Sequence, residues 1–437
     1  MIVTLTYTMR NGRGEILETR RTTYHQGSTT ISPILQAQLV GLEPGQRKTV
    51  KLTKGQEDAD DDFTFDVVIE SISQATQIHL LSGFLGSGKT TAIQQACKLL
   101  RETGIPTAVI SNDQGEKLVD GAFFEHLGLP SRQVTNGCFC CNYKDLDRCI
   151  QSLTAPDPPT NPPTNPPAPH PANHPAVVFA ESVGSCTDLV ATVLKPLLKK
   201  YPGSHPTVSV IADANLLPDL LEDHTVFDPA VRYIYLKQLE EAQVIVVSKI
   251  DQATNLTSLR QLLAKHYPTK TILYQNSFNP EHILSWLQTL ERLSPQSNTL
   301  PSLNIDYERY GAGEAKLAWL DQQLVIESPA LNARDAALTL LKRLSQTNHP
   351  IGHLKCWIDG ATKISFTTTG MPDDLPIRPA ANANLLINAR IQTTPALLTE
   401  LMTDAIQSTA KSHNCTIRTI SASCFQPGFP RPTHRIP

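Results

Sequence analysis

The stretch from His79 to Thr91 reads His-Leu-Leu-Ser-Gly-Phe-Leu-Gly-Ser-Gly-Lys-Thr-Thr. Gly83, Gly88, Lys89 and Thr90 fill the pattern G-x-x-x-x-G-K-[ST] without a mismatch. The chemistry of that pattern is phosphate binding. Glycines let a loop wrap so that successive backbone N–H groups point inward at phosphate oxygens. A helix beginning where the loop ends adds its partial positive charge, and Lys89 adds a full one toward the β- and γ-phosphates. Thr90 offers a hydroxyl to Mg²⁺, a hard cation that takes oxygen ligands. Gly83, Gly86, Ser87, Gly88, Lys89, Thr90 and Thr91 are the candidate phosphate-binding set for a nucleoside triphosphate.

Three further clusters follow in the order that a switch-type nucleotide hydrolase needs. Asn112-Asp113-Gln114-Gly115-Glu116 follows a second apolar run, where a loop sensing Mg²⁺ and the γ-phosphate belongs, with Asp113 and Glu116 as candidate catalytic carboxylates. In Glu181-Ser182-Val183-Gly184, the Glu181 carboxylate can hold a Mg²⁺-bound water and the Gly184 N–H can meet the γ-phosphate. In Ser248-Lys249-Ile250-Asp251, the Asp251 carboxylate can accept two hydrogen bonds from N1–H and the exocyclic amine of guanine. Adenine has an acceptor at N1 and is repelled by the same group, so GTP is favoured over ATP. Ser248 stands where an asparagine amide more often ties the base loop together.

Between the first and second of these clusters, Gly137-Cys138-Phe139-Cys140-Cys141 puts three thiols into four positions. Thiolates this dense suit Zn²⁺, with Co²⁺ as second choice, and three sulfurs leave a fourth position for another ligand or an acceptor protein. A closed structural zinc site is the alternative. Cys149 is a poor fourth ligand if residues 142–152 are helical, because eight residues would place it ~12 Å along the axis from Cys141. Glu116, His126 and Cys186 all remain possible. Cys97, Cys356, Cys415 and Cys424 read as core residues. His170 and His174 lie in a proline-rich loop and share no helix face.

The elements around these residues divide the 437-residue chain into three units. Residues 1–75 alternate as a small β-rich unit, with a short helix at Pro33–Val40 and strands at Val3–Thr8, Arg47–Thr53 and Phe63–Ile72. Residues 76–298 alternate strand and helix, the signature of a mainly parallel sheet with helices on both faces, and so an α/β phosphate-loop NTPase fold. From Pro156 to Pro175 ten of twenty residues are proline, which predicts an extended surface insertion at about 155–175. Residues 299–437 read as an α+β sandwich, two helices layered on one antiparallel sheet, followed by an extended basic tail from Phe425 to Pro437.

Bulk composition excludes several classes. A net charge of −3 gives no broad electrostatic case for nucleic acid or an anionic membrane. No apolar run approaches the 18 residues of a membrane span, and the first residues lack a basic stretch followed by an apolar core, so a cytoplasmic protein is expected. Nine cysteines in a chain of this size do not make a secreted disulfide scaffold.

Taken together, the loop at 83–90, the Gly-Cys-Phe-Cys-Cys run, Glu181-x-x-Gly184, Ser248-Lys249-x-Asp251 and the C-terminal α+β unit resemble the CobW-type metal-related GTPases over about residues 76–435. Members of that family are described as metallochaperones or metal-insertase GTPases. They serve zinc homeostasis, cobalt delivery to corrin synthesis and nitrile hydratase activation. The resemblance implies slow intrinsic GTP hydrolysis, metal at Cys138, Cys140 and Cys141, transfer to a client metalloprotein or apo-enzyme, and a possible homodimer. Residues 1–75 resemble a short FKBP-type prolyl isomerase in their order of elements, with Gln26-Gly27, Ile31-Ser32-Pro33-Ile34-Leu35 and Leu39 to Gly45 carrying the likeness. Their flap segment, 54–62, is short and acidic and their aromatics few, which favours a docking module over an active isomerase. The proline-rich insertion also departs from the CobW pattern, and both departures leave the client open.

Overall fold

The structure is a computed structural model that describes residues 2–25, 31–56, 61–73, 76–115, 118–154, 175–224, 226–293, 299–370 and 378–437. Glu116, His170, His174, Gln26-Gly27 and nearly all of the proline-rich insertion lie outside the described residues.

The N-terminal unit is a four-stranded antiparallel sheet of order β2-β1-β4-β3, built from β1 (Ile2–Asn11), β2 (Ile16–His25), β3 (Arg47–Leu52) and β4 (Phe63–Ser73). Helix α1 (Pro33–Leu39) starts at Ser32, whose hydroxyl accepts from the Leu35 N–H, with proline at the first turn where no N–H is needed. Its Leu35 and Leu39 pack with Val3, Leu5, Tyr24, Val67 and Ile69 into a small core of their own. Tyr24 is therefore spent on packing, and Tyr7 lies against Phe65 at 5.8 Å.

The central unit holds a fully parallel seven-stranded sheet of order β11-β10-β9-β5-β8-β6-β7. Its strands are β5 (Gln77–Ser82), β6 (Thr107–Asn112), β7 (Ser131–Val134), β8 (Val177–Glu181), β9 (Thr207–Asp213), β10 (Val244–Ser248) and β11 (Thr271–Gln275). Strands β6, β8, β9 and β10 are buried along their whole length, which is why they read as unbroken apolar runs and not as alternation. Only the two outer strands, β7 and β11, escape that pattern, and both are absent from the sequence-based expectation. β7 has four residues, three of them polar, and β11 is only half-buried.

Helices α2 (Lys89–Glu102), α3 (Val119–His126), α4 (Tyr143–Thr154), α5 (Lys195–Lys200), α6 (Leu217–Leu221), α7 (Pro229–Glu241), α8 (Leu256–His266) and α9 (Pro280–Leu293) cover the sheet. The predicted helix from Asp188 begins as a π-helical turn at Val190–Leu194 before α5. There the buried Glu241 side chain accepts from the Val190 N–H and the Thr187 hydroxyl. Strand order reverses around β5, the place in such sheets where a ligand sits beyond the strands' C-terminal ends.

After α10 (Tyr307–Glu314), the C-terminal unit is an antiparallel sheet of order β14-β13-β15-β12-β16: β12 (Ala318–Glu327), β13 (Ile351–Ile358), β14 (Thr362–Phe366), β15 (Asn382–Ile391) and β16 (Thr416–Phe425). Helices α11 (Ala333–Ser345) and α12 (Pro395–His413) cover the face bearing Leu354, Cys356, Ile364, Ile387 and Ala389. The opposite face meets the central unit. Asn388 accepts from the Val119 N–H, Arg390 reaches Asp113, and Trp357 packs edge-on against Phe123 and His126 of α3. Among the described residues no helix is long and apolar enough to cross a membrane.

Candidate functional site

The loop after β5 turns through three positive-φ glycines, Gly83 (132°), Gly86 (73°) and Gly88 (93°). At Gly83 a side chain is excluded outright, since a Cβ would come within 2.1 Å of the Ile211 carbonyl oxygen. The loop wraps one end of a cleft of about 300 Å³, lined by residues 86–91, Glu181, Lys249, Gln252, Phe278, Lys355, Lys363, Ser365, Thr367 and Gly370. Lys89 folds back onto the loop, donating to the carbonyls of Gly83 (2.7 Å) and Phe84 (3.2 Å). Burial lowers its pKa to about 8, against the opposing pull of Glu181. Thr90 donates to Glu181 Oε1 at 3.0 Å, while Glu181 Oε2 is buried without a partner. An orphaned carboxylate oxygen beside a threonine hydroxyl fits a divalent cation and its waters. Burial, then Asp120, raises the Glu181 pKa, against the opposing pull of Lys89, Lys355 and Lys363.

Gly184 lies hard against the loop, with room for no Cβ beside the Leu85 backbone. Ser248 has its hydroxyl on the carbonyls of Ser87 (2.6 Å) and Ala212 (3.1 Å), so it ties the base loop to the phosphate loop by a route other than an asparagine amide. Lys249 pairs with Asp213 at 2.7 Å. Asp251 sits exposed on a 3-10 turn one residue from the cleft-lining Gln252. Asp113 points elsewhere than the phosphate loop. Its Oδ1 takes Arg390 Nη2 at 2.9 Å and the Gly115 N–H at 3.1 Å.

The cysteine loop is held by the residue before Asp113. Asn112 accepts from the Phe139 N–H and donates to the carbonyls of Val134 and Gly137. The Cys141 and Asn142 N–H groups close on the Cys138 carbonyl, which turns all three thiols inward. Sulfur–sulfur distances are 2.6 Å for Cys138–Cys140, 3.3 Å for Cys138–Cys141 and 3.7 Å for Cys140–Cys141. Cys186 lies 4.0 Å from Cys140. Sulfurs on a tetrahedral ion are roughly 3.8 Å apart, so the three clustered thiols fit a thiophilic metal once the Cys138–Cys140 pair opens by about 1 Å, with Cys186 beside them as a candidate fourth. Burial alone would raise the Cys186 thiol, but hydrogen bonding to Cys138, Cys140 and Tyr310 brings it to about 7. Glu314 is buried close by, accepting from Ser185 (2.7 Å) and Gln114 (3.2 Å). Burial and the Cys138 sulfur push its pKa well up. The tail covers the cluster: Arg431 N–H donates to Cys141 Sγ at 3.2 Å and Thr433 N–H to the Cys140 carbonyl at 2.9 Å.

With both sites described, comparison with known proteins becomes informative. Residues 77–273 match the family described as "CobW/HypB/UreG, nucleotide-binding domain". This part of the chain is similar to that family's nucleotide-binding domain. The chain is 40% identical over 65 residues to the zinc chaperone YjiA of Escherichia coli and 38% identical over 66 residues to the zinc chaperone YeiR of the same organism. Each alignment covers 15% of this chain and 20% of the relative, so the chain spans about a fifth of their length. Among solved structures, HypB from Helicobacter pylori in complex with nickel aligns over 53% of this chain and 93% of its own, at 14% identity and a TM-score of 0.37.

The central unit thus brings together Lys89, Thr90, Glu181, Gly184 and Ser248 at one site and Cys138, Cys140, Cys141 and Cys186 at another. Cys149 bonds to the Gln133 carbonyl, away from the cluster, and His126 packs edge-on with Trp357. Cys97 and Cys356 are fully buried, whereas Cys415 and Cys424 are only partly so. Sequence reasoning missed Asp120, Glu314, Lys355, Lys363 and Arg390. None stands in a recognisable motif; Lys355, Lys363 and Arg390 come near these sites through docking of the C-terminal sheet, Glu314 through α10, and Asp120 lies on α3 of the central unit.

Proposed function

We propose that the protein is a cytoplasmic GTP-hydrolysing metallochaperone that holds Zn²⁺, or Co²⁺ as second choice, at Cys138, Cys140 and Cys141 and couples the nucleotide cycle to transfer onto a client metalloprotein. The observation that carries this reading is the segment 181–186. Glu181 at its start meets Thr90, Gly184 touches the phosphate loop, and Cys186 at its end lies beside Cys140. Gln238 clamps the turn by donating to the carbonyls of Gly184 (2.9 Å) and Cys186 (2.8 Å). A displacement at the γ-phosphate is therefore passed five residues along one buried stretch to a candidate fourth sulfur. Tenfold in metal affinity needs only ~1.4 kcal/mol of such coupling.

In this reading the backbone N–H groups of residues 86–91 and the Lys89 ammonium bind the β- and γ-phosphates. Thr90 and Glu181 would hold Mg²⁺, which would supply neutralisation of the phosphate charge. Asp251 selects guanine, and Gly184 N–H senses the γ-phosphate. Asp113 and Glu116 border the same switch. Water attacks the γ-phosphorus, the bond to the β-phosphate oxygen breaks, and GDP, phosphate and a proton leave. Loss of the third phosphate relaxes 181–186 and loosens the metal for the client. The FKBP-like order of elements in residues 1–75 supports a docking role for that unit, and a homodimer belongs to the same proposal.

The test is Zn²⁺ affinity of the reduced protein, measured against a competing chelating dye without nucleotide, with GDP, and with a slowly hydrolysed GTP analogue. A difference of about tenfold between states supports delivery. Tight, identical binding in all three favours the second reading, a GTP-timed client-binding protein with structural zinc. That reading draws its support from Cys140 being wholly buried beneath the tail.

A further inference from the structure

Two lysines from the C-terminal sheet stand in the phosphate cleft. Lys355 of β13 and Lys363 of β14 lie on one face of that hairpin, where Lys355 is paired with Ser365 and Trp357 with Lys363. Ser365 and Thr367 continue the same face along the chain, and all but Trp357 line the cleft with Lys89 and Glu181. The contact with the loop is tight. A Cβ on Gly86 would meet Thr367 at 2.3 Å and the Gly352 carbonyl at 2.8 Å. The hairpin is the roof over the phosphate loop.

Direct ion pairing in this roof is two cations to one anion, with Glu181 acting on both lysines only at longer range. Both ammonium groups rest on one carboxylate, Asp120 of α3, at 2.5 and 2.7 Å, and among the described residues no other acid pairs with either. Side-chain exposure is 13% for Lys355, 18% for Lys363 and 16% for Asp120, so water does little to offset the surplus. Lys249, by contrast, has Asp213 to itself. Lys363 also stands 4.5 Å from the Phe123 ring centroid, which supplies a weak substitute for a second anion. Two mostly buried cations sharing one carboxylate are costly unless a further anion completes the cluster. Glu181 and Lys89 both feel Lys355 electrostatically, so the missing anion belongs between loop and roof.

We propose that Lys355 and Lys363 bind the terminal phosphate of the nucleoside triphosphate, which gives the C-terminal sheet a direct contact that distinguishes the triphosphate from the diphosphate. This rests on the nucleotide reading of the phosphate loop. Asp120 holds the two ammonium groups in place when that phosphate is absent and gives up part of them when it is present. The state of the nucleotide then reaches the C-terminal unit through its own strands, independently of the segment 181–186.

The experiment uses the full chain and titrates Mg²⁺-GDP and a Mg²⁺-bound, slowly hydrolysed GTP analogue. Lys355→Met, Lys363→Met and the milder Lys363→Gln should each weaken the analogue by about tenfold and leave GDP within about twofold. Asp120→Asn, which releases both ammonium groups, should tighten the analogue relative to GDP. If the lysine variants lower the melting temperature yet change both nucleotides equally, or neither, the lysines only fasten two units together and the proposal is overturned. Lys89→Ala separates the two levels. Should it bind both nucleotides like the unaltered protein, the loop is not the site and both readings fall. Should it lose both nucleotides while the roof variants show no selective loss, this proposal alone falls.

Discussion

The two sites of the central unit are built on opposite principles. The nucleotide cleft is open, cationic and lined from two distant parts of the chain, with its key lysine parked on backbone carbonyls and its key carboxylate half-satisfied. The cysteine cluster is local, nearly dry and already closed over by residues 431–433. One end is arranged to gain a ligand from solvent. The other is arranged to keep one. The proposed delivery of metal would need that asymmetry, and the short segment between Glu181 and Cys186 is where the two principles meet.

The comparison breaks most visibly if either end can be removed without harm to itself. Lys89→Ala should weaken GTP binding on the order of a thousandfold while leaving zinc affinity of the nucleotide-free protein unchanged, as calorimetric titration of each ligand will reveal. Cys140→Ser should reduce zinc affinity by roughly a hundredfold or more with GTP affinity intact, read by dye competition. Metal binding that survives this change would move the cargo site elsewhere. Arg390→Leu strikes the link between units. It leaves Asp113 and Asp321 buried without their shared guanidinium, at a cost of about 3–5 kcal/mol in denaturant unfolding.

The smallest expected effect is a pH dependence confined to the open end. Lys89 is lowered by burial to about 8 in the free protein, so it begins to lose its proton well below the usual lysine range. Affinity for the triphosphate should be level below pH 7 and fall by up to ~tenfold per unit as pH rises through 8, because the deprotonated amine carries no charge to offer. The cysteine variants should keep this profile and Lys89→Ala should abolish it. A profile that is unchanged in Lys89→Ala would assign the titration to another group.

How far the sequence goes differs between the two ends for the same reason. Phosphate-loop glycines, Glu181 and the three clustered thiols are legible because their chemistry depends on residues close in sequence. Lys355 and Lys363 are not, although the alternation of β13 and β14 marks them as the polar face of a strand. Alternation tells which face is polar. It does not tell whether water or another unit's carboxylate meets it, and here Asp120, more than 230 positions away, is the partner. The same limit hides Arg390, wholly buried between Asp113, Asp321 and the Trp319 ring, in a position that strand periodicity would leave to solvent. Strands β7 and β11 escape notice for a humbler reason, being short and half-polar at the sheet's rims.

The tail that lies over the cysteine loop has a consequence for time as well as for affinity. Its anchors are spread out: Arg431 on Cys141, Thr433 on Cys140, His434 edge-on to Tyr143, Arg435 on Asp188 and the Ile436 N–H on Ala191. An ion beneath such a strap leaves only as often as several weak contacts open together, so its residence is governed by a clock that equilibrium titration does not read. Shortening the chain after Gln426 should speed metal loss to a chelator in stopped-flow far more than it alters the dissociation constant. Handover in this protein would then be a matter of when the strap lifts, and a client that displaces it takes the metal without having to bind it more tightly.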